Sequence, residues 1–195
     1  MMNTRRAAAT VSALLTAGLV GGGLVSPAYA AVDFARDRVG DASSARNEKP
    51  MDITRVFVDN RDRQVVVRVD FDKPAFGSLI VSVDPRGGEG VRLISQHRRA
   101  SADQPDEDFV LPHAFTDTAS DDPSNDEPVA TDCPRFRVAW NDRSTQARMV
   151  LPSTCLNGGD FGAIRYAVLT ETPRNGDSDF AHAGRASNTD WVRRG

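Results

Sequence analysis

Apolar and polar residues alternate along much of this chain with a period of two, which is typical of half-buried β-strands. The pattern is clearest in Gln64–Phe71, where every second residue from Val65 onward is apolar and Arg68 and Asp70 fall on the opposite face. A similar segment, Asp52–Val58, precedes it, and a short polar turn separates the two. The two segments therefore predict an antiparallel hairpin.

The same alternation recurs several times towards the C-terminus, with Gly-rich or Asn/Asp-rich turns between the segments. The predicted strands are centred on Leu79–Val83, Val91–Ser95, Phe136–Trp140, Gln146–Leu151 and Ile164–Val168, with a brief strand within Phe109–Phe115. Hardly any stretch has the spacing of an amphipathic helix. Seven or eight short strands indicate an all-β fold, a single antiparallel β-sandwich or jelly-roll-like domain.

Residues 1–30 have the composition of a cleavable signal peptide. Two arginines precede an uncharged apolar run, and Ala28 and Ala30 provide the small residues of a cleavage site. The run approaches the length of a membrane span, but its four glycines and the proline that follows it favour cleavage over anchoring. We expect a secreted, extracellular protein that begins at Ala31, exported by either the Sec or the twin-arginine route.

The segment 31–195 is long enough to bury one ordinary core, and no linker divides it, so we expect one domain. The whole chain has a net charge of −3, and loss of the two signal-peptide arginines leaves −5. A mildly acidic chain gives no reason to expect nucleic acid, whose phosphates require a basic face. No second apolar stretch is long enough to span a membrane. We therefore predict no nucleic-acid partner and no membrane span after cleavage.

The two cysteines of the chain, Cys133 and Cys155, both lie in the part predicted to be exported. An even cysteine count and an oxidising destination favour a disulfide over a free thiol or a metal ligand. Cys133 precedes the strand that carries Trp140, and Cys155 follows the partner strand of that hairpin. We expect the disulfide to close this hairpin at its open end.

One segment departs from the strand pattern. Between Asp103 and Asp132 there are ten acidic residues and neither Lys nor Arg, and almost no apolar residues occur over 117–128. Such a stretch buries too little surface to offset its ordering entropy, so residues of about 116–132 are predicted to form an acidic, flexible loop. The loop could also bind calcium through Asp121 and Asp126, although it lacks the register of a helix–loop–helix site.

The sequence indicates no catalytic residue. There is no Gly-x-Ser-x-Gly motif, and His97, His113 and His182 are far apart without metal-ligand spacing. We interpret them as scattered surface histidines. The chain therefore favours a non-catalytic protein over an enzyme, although a site assembled only in three dimensions would leave no such trace.

A better-placed acidic group lies near the predicted mature N-terminus. Asp37 and Asp41 flank a short segment ending in Gly40, and Asp52 opens the first firm strand. Glycine permits a tight turn that directs both carboxylates to one point, and calcium prefers carboxylate and carbonyl oxygens. Asp37, Asp41 and Asp52 are thus candidate ligands for Ca²⁺. The alternative is a capped and solvated N-terminal arm.

The order of these features resembles that of a group of uncharacterised small secreted bacterial proteins. The matching parts are Asp37-x-x-Gly40-Asp41, Asp52–Val56, Val65–Val69, Val150–Leu156 and Asp190-Trp191. The early Asp–Gly–Asp and Asp–Ile pattern is also similar to β-sandwich modules of the carbohydrate-binding and DOMON type. This resemblance implies a β-sandwich, and calcium as its ion, because some of those modules hold calcium.

Three functions remain open at this point. The first is a secreted, non-catalytic β-sandwich that binds a surface, a partner protein or an ion. The second is an extracellular hydrolase with a site that the sequence does not reveal. The third is a protease inhibitor, whose exposed loop the disulfide would anchor.

Overall fold

The computed structural model describes residues 31–43, 51–99, 104–115, 129–172, 176, 178–181 and 191–195. The predicted signal peptide and most of the predicted acidic loop, including Asp121 and Asp126, lie outside the described residues. The strands are β1 Ala31–Arg36, β2 Ile53–Arg61, β3 Gln64–Phe71, β4 Gly77–Pro85, β5 Val91–His97, β6 Glu107–Pro112, β7 Arg137–Trp140, β8 Gln146–Pro152, β9 Ile164–Glu171 and β10 Ser178–Ala181. Two short 3₁₀ turns, Ser153–Cys155 and Asn157–Gly159, follow β8.

The strands form two five-stranded sheets in which all neighbours are antiparallel. The first sheet has the order β1-β2-β3-β8-β7, and the second has the order β10-β9-β4-β5-β6. This arrangement confirms the predicted all-β fold with two antiparallel sheets. The predicted hairpins β2–β3 and β7–β8 are both present.

The strands that flank two of the crossings between the sheets pair with each other. The chain passes from the first sheet to the second between β3 and β4, and again between β8 and β9. β3 pairs with β8 in the first sheet and β4 pairs with β9 in the second. Each of these two crossings therefore connects an interior strand of the first sheet to an interior strand of the second.

The core lies between the sheets and is built from the alternating apolar positions. In β3, Val65, Val67 and Val69 are fully buried, as the period-two pattern predicts. The largest fully buried side chains are Ile53, Leu79, Leu93, Met149, Leu151, Leu156 and Ile164. The hydrophobic effect from burying these apolar side chains stabilises the packing of the two sheets.

Sequence analysis missed two strands, β1 and β10, because their alternation is inverted. In β1, Val32 and Phe34 are about half exposed, whereas Asp33 accepts a hydrogen bond from the hydroxyl of buried Tyr166 at 2.6 Å. In β10, Phe180 is largely exposed and Asp179 is buried. Both are edge strands. In both β1 and β10 the inward-facing positions are therefore an aspartate and a small alanine, Ala35 or Ala181, while the large apolar side chains face outward.

The predicted disulfide is present between Cys133 and Cys155, whose Cα atoms are 5.6 Å apart. It joins the segment before β7 to the 3₁₀ turn after β8, so it closes the β7–β8 hairpin at its open end. Both cysteines pack against the core. None of the described cysteines is free.

Candidate metal centre

Three carboxylates converge at one end of the sandwich. Asp37, Asp41 and Asp179 each provide one carboxylate oxygen, and these three oxygens lie within 4.8 Å of one another. Calcium–oxygen bonds measure about 2.3–2.6 Å, so two oxygens on opposite sides of one ion lie about 5 Å apart. The spacing of the three oxygens therefore suits a single calcium ion.

The N-terminal arm positions two of these carboxylates. Asp37 directly follows β1, and its backbone N–H donates to the carbonyl of Thr54 at 3.0 Å. The chain then turns through Gly40, whose φ of 87° lies in the left-handed region that favours glycine. This turn returns the chain so that Asp41 lies beside Asp37, as the sequence predicts.

Asp52 lies next to this group, just before β2. Its Oδ2 accepts a hydrogen bond from the backbone N–H of Gly40 at 2.8 Å, which fixes the turn between Asp37 and Asp41. Its Oδ1 is buried and has no hydrogen-bond partner among the described residues. The side chain is only 9% exposed, so this oxygen lacks both solvent and a donor. Burial of such an oxygen costs folding free energy unless it binds a proton or a cation.

Asp179 reaches the group from the second sheet. It is 5% exposed, and its Oδ2 accepts a hydrogen bond of 2.6 Å from the N–H of Ile53, at the start of β2. Burial raises the pKa of Asp179 to about 6, and repulsion from Asp37, Asp41 and Asp52 adds to the rise, while the hydrogen bond from Ile53 opposes it. The elevated pKa expresses the cost of placing a fourth negative charge here.

We refer to Asp37, Asp41, Asp52 and Asp179 as the carboxylate cluster. Within the described part of the chain, no Lys or Arg forms a salt bridge with Asp41, Asp52 or Asp179. Within this part of the chain no basic side chain neutralises these three carboxylates, so a proton or a bound cation would relieve their repulsion. Four carboxylates supply only hard oxygen ligands, which suit calcium.

The structure brings together two of the three residues predicted as metal ligands. Asp37 and Asp41 share the convergent group, whereas Asp52 lies beside it and orients the turn. Sequence analysis missed Asp179, which is more than a hundred residues away along the chain. The one local signal is the inverted pattern of β10, in which a buried aspartate precedes an exposed phenylalanine.

The tryptophans do not form an exposed row. Trp140 is partly buried and stacks on Phe71, with ring centroids 5.6 Å apart. The guanidinium groups of Arg86 and Arg165 lie 4.9 and 4.6 Å from the ring centroid of Trp191. The neighbouring Val192 forms an isolated β-bridge with Ile164 at the start of β9. Trp191 thus belongs to the contacts that fasten the C-terminus.

Comparison of the chain with protein-family models, curated proteins and solved structures found no match. The resemblance to small secreted bacterial proteins and to calcium-holding modules therefore stays a prediction. Among the residues that the structure describes, no helix is long and apolar enough to cross a membrane.

Proposed function

We propose that this protein is a secreted β-sandwich that binds one calcium ion at the carboxylate cluster. The observation that carries the proposal is the buried, unpartnered Oδ1 of Asp52 beside three convergent carboxylates. A bound cation would offset the repulsion that raises the pKa of Asp179.

Calcium fits this cluster better than zinc or magnesium does. Zinc sites use histidine or cysteine ligands as well as carboxylates, and the converging group contains only aspartates. Magnesium requires near-ideal octahedral geometry and retains several waters. Calcium accepts six to eight oxygens in flexible geometry, so carboxylates from three separate segments can share it with waters.

The position of the cluster indicates what the ion would do. Asp37 and Asp41 belong to the arm that follows β1, Asp52 precedes β2 in the first sheet, and Asp179 belongs to β10 in the second sheet. An ion shared by these segments would fasten the N-terminal arm across the end of the sandwich. This contact would form fully only where free calcium is abundant, which agrees with an extracellular protein.

Isothermal titration of calcium into the full chain, stripped with EDTA, tests the proposal. We expect about one calcium per chain with a Kd at or below about 10⁻³ M, the weak end of extracellular calcium modules. Asp179→Asn should weaken binding at least about tenfold, because it removes one ligand charge but keeps an oxygen that accepts from Ile53. Magnesium should bind more weakly than calcium does.

Asp142→Asn is the matched control, because Asp142 is an exposed aspartate in the β7–β8 turn, outside the cluster. It should bind calcium as the wild-type chain does. Absence of saturable binding at millimolar calcium would refute the proposal. Equal affinity in the wild type and in Asp179→Asn would also refute it, because the ion would then lie elsewhere.

A further inference from the structure

A serine, a histidine and an aspartate form a hydrogen-bonded chain that the carboxylate cluster does not involve. The Nδ1 atom of His97 lies 2.7 Å from Oδ2 of Asp106. The Nε2 atom of the same ring lies 2.9 Å from Oγ of Ser144. An ionised carboxylate only accepts, so the Nδ1–H of a neutral ring donates to Asp106. Nε2 is then left to accept the hydroxyl proton of Ser144.

The imidazole ring of His97 is held in place by its neighbours. His97 ends β5, and its side chain is 11% exposed. The ring stacks on Trp140 at a centroid distance of 4.2 Å and on Phe76 at 5.3 Å, with interplanar angles of 9° and 18°. His97 is therefore a fixed, mostly buried ring and not the ordinary surface histidine that we expected from the sequence.

Asp106 is also held on both carboxylate oxygens. Its Oδ1 accepts a hydrogen bond of 2.8 Å from the backbone N–H of Arg98, while Oδ2 faces His97. Arg98 directly follows His97 in the chain. The carboxylate thus binds both the ring and the backbone that carries it, which fixes the tautomer and the orientation of the imidazole.

Ser144 approaches the ring from the turn between β7 and β8. Its φ is 52°, a left-handed conformation that is uncommon for serine. The turn holds it there, because its N–H donates to the carbonyl of Asn141 and its carbonyl accepts from the N–H of Ala75. Residues held in sparsely populated backbone conformations cluster at functional sites.

We propose that Ser144, His97 and Asp106 form a second site, in which Ser144 is the nucleophile for hydrolysis of carboxylic esters. Serine is weakly nucleophilic by itself and is activated by an adjacent general base that a third group orients. His97 occupies the position of that base, and Asp106 occupies the position of the orienting carboxylate. The inference is independent of calcium binding, because the two sites share no residue.

The reaction follows from these positions. Oγ of Ser144 attacks the ester carbonyl while Nε2 of His97 takes the hydroxyl proton, which gives a tetrahedral intermediate and an imidazolium stabilised by Asp106. The carbon–oxygen bond to the leaving group then breaks, and His97 returns the proton to the departing alcohol. Water, activated by His97, attacks the acyl-serine, releasing the carboxylic acid and restoring the Ser144 hydroxyl.

The same contacts restrict the substrate class. The backbone N–H of Ser144 is bonded to Asn141, so it cannot also bind the oxyanion that forms on the substrate. Loss of one oxyanion donor reduces turnover by about 10²–10³-fold. The site therefore suits esters with a good leaving group, such as aryl esters, rather than amides.

Labelling of the full chain with a fluorophosphonate–biotin probe tests this site. We expect covalent modification of the wild-type protein at Ser144, located by peptide mass mapping, and no modification at this position in Ser144→Ala. Asp106→Asn should slow labelling at Ser144 at least about tenfold, because the amide no longer holds the reactive tautomer. An acyl-serine at Ser144 should also form with p-nitrophenyl acetate.

Ser153→Ala provides the matched control, because Ser153 lies at the opposite end of β8 and is only partly exposed. It should be labelled at the wild-type rate. The side chain of Asp106 is 39% exposed, so Asp106→Asn should keep the fold. This variant therefore tests the proposal even if Ser144→Ala fails to fold. A wild-type protein that is not labelled at Ser144, or equal labelling rates in the wild type and Asp106→Asn, would overturn the proposal.

Discussion

Asp179 carries the clearest electrostatic cost of the carboxylate cluster. Its charge is opposed by burial and by three neighbouring aspartates, while only the N–H of Ile53 favours the charged form. Either a proton or a bound cation would relieve this cost. The pH and the free calcium concentration decide whether a proton or a cation occupies the cluster. Substitution of Asp179 alone can therefore test its electrostatics.

Without calcium, the contribution of Asp179 to the stability of the fold should fall as the pH rises from about 4 to 6. The folded pKa of Asp179 is raised to about 6 from an ordinary value of 3.8, so over this interval the folded chain keeps a proton that the unfolded chain has released. Stability decreases with pH wherever the folded state binds more protons. Thermal melts in EDTA at pH 4 to 7.5 should show this loss in the wild type relative to Asp179→Asn.

The fall in wild-type stability should level off above the folded pKa of Asp179. Millimolar calcium should remove this pH dependence from the wild type near neutral pH, because a bound cation would lower that pKa. Asp179→Asn should be the more stable protein in EDTA at neutral pH, since its uncharged side chain still accepts from Ile53. Parallel melting profiles of the two proteins across this pH range would contradict the assignment of the shift to Asp179.

Single residues also show where sequence reasoning succeeds and where it ends. Asp37 and Asp41 were identified because Gly40 lies between them and the turn is local. Asp179 and the Ser144–His97 contact come from distant segments that meet only in the folded chain. Neither Asp179 nor the Ser144–His97 contact is accompanied by a characteristic residue spacing in the sequence.

At the level of elements, the strands that follow a simple alternation were predicted, whereas β1 and β10, two of the four edge strands, were not. The pattern of Val65, Val67 and Val69 reports burial against a single core, so β3 and its neighbours could be recognised. β1 and β10 expose their large apolar side chains and turn aspartates inward. The same inversion that hid these strands brings Asp179 to the carboxylate cluster.

The β7–β8 hairpin should depend strongly on its disulfide. Cys133 and Cys155 are 22 residues apart in the chain, and closing a loop of this size stabilises the folded state by about 3 kcal/mol in the chain-entropy model. The double variant Cys133→Ser/Cys155→Ser should lose about this much free energy of unfolding in a urea titration. Reduction of the wild-type protein should reproduce the loss, and an unchanged urea midpoint in both cases would contradict it.

At the level of the whole molecule, the carboxylate cluster lies where both sheets and the N-terminal arm come together. The two sheets meet in a core of apolar side chains, and the carboxylate cluster lies where the N-terminal arm, β2 and β10 approach one another. A cation there would join both layers to the arm. Its contribution would depend on the compartment, because weak calcium sites fill only at high free calcium.

Export of the full chain from a bacterial host tests the predicted processing. We expect the secreted protein to begin at Ala31, because Ala28 and Ala30 provide the small residues of the cleavage site. Intact mass spectrometry should give the mass of residues 31–195 with the disulfide formed. A secreted mass that retains residues 1–30 would contradict the prediction of a cleaved signal peptide.

A thermal melt of the protein in EDTA and in millimolar calcium at neutral pH is the sharpest test of calcium binding at the carboxylate cluster. A ligand that binds only the folded state at a hundredfold excess over Kd adds about 2.7 kcal/mol, which raises the Tm of a chain of this size by about 5–10 °C. We predict such a rise in the wild type and in Asp142→Asn, and little or none in Asp179→Asn. Equal Tm values in EDTA and calcium for the wild type would contradict a calcium ion in the carboxylate cluster.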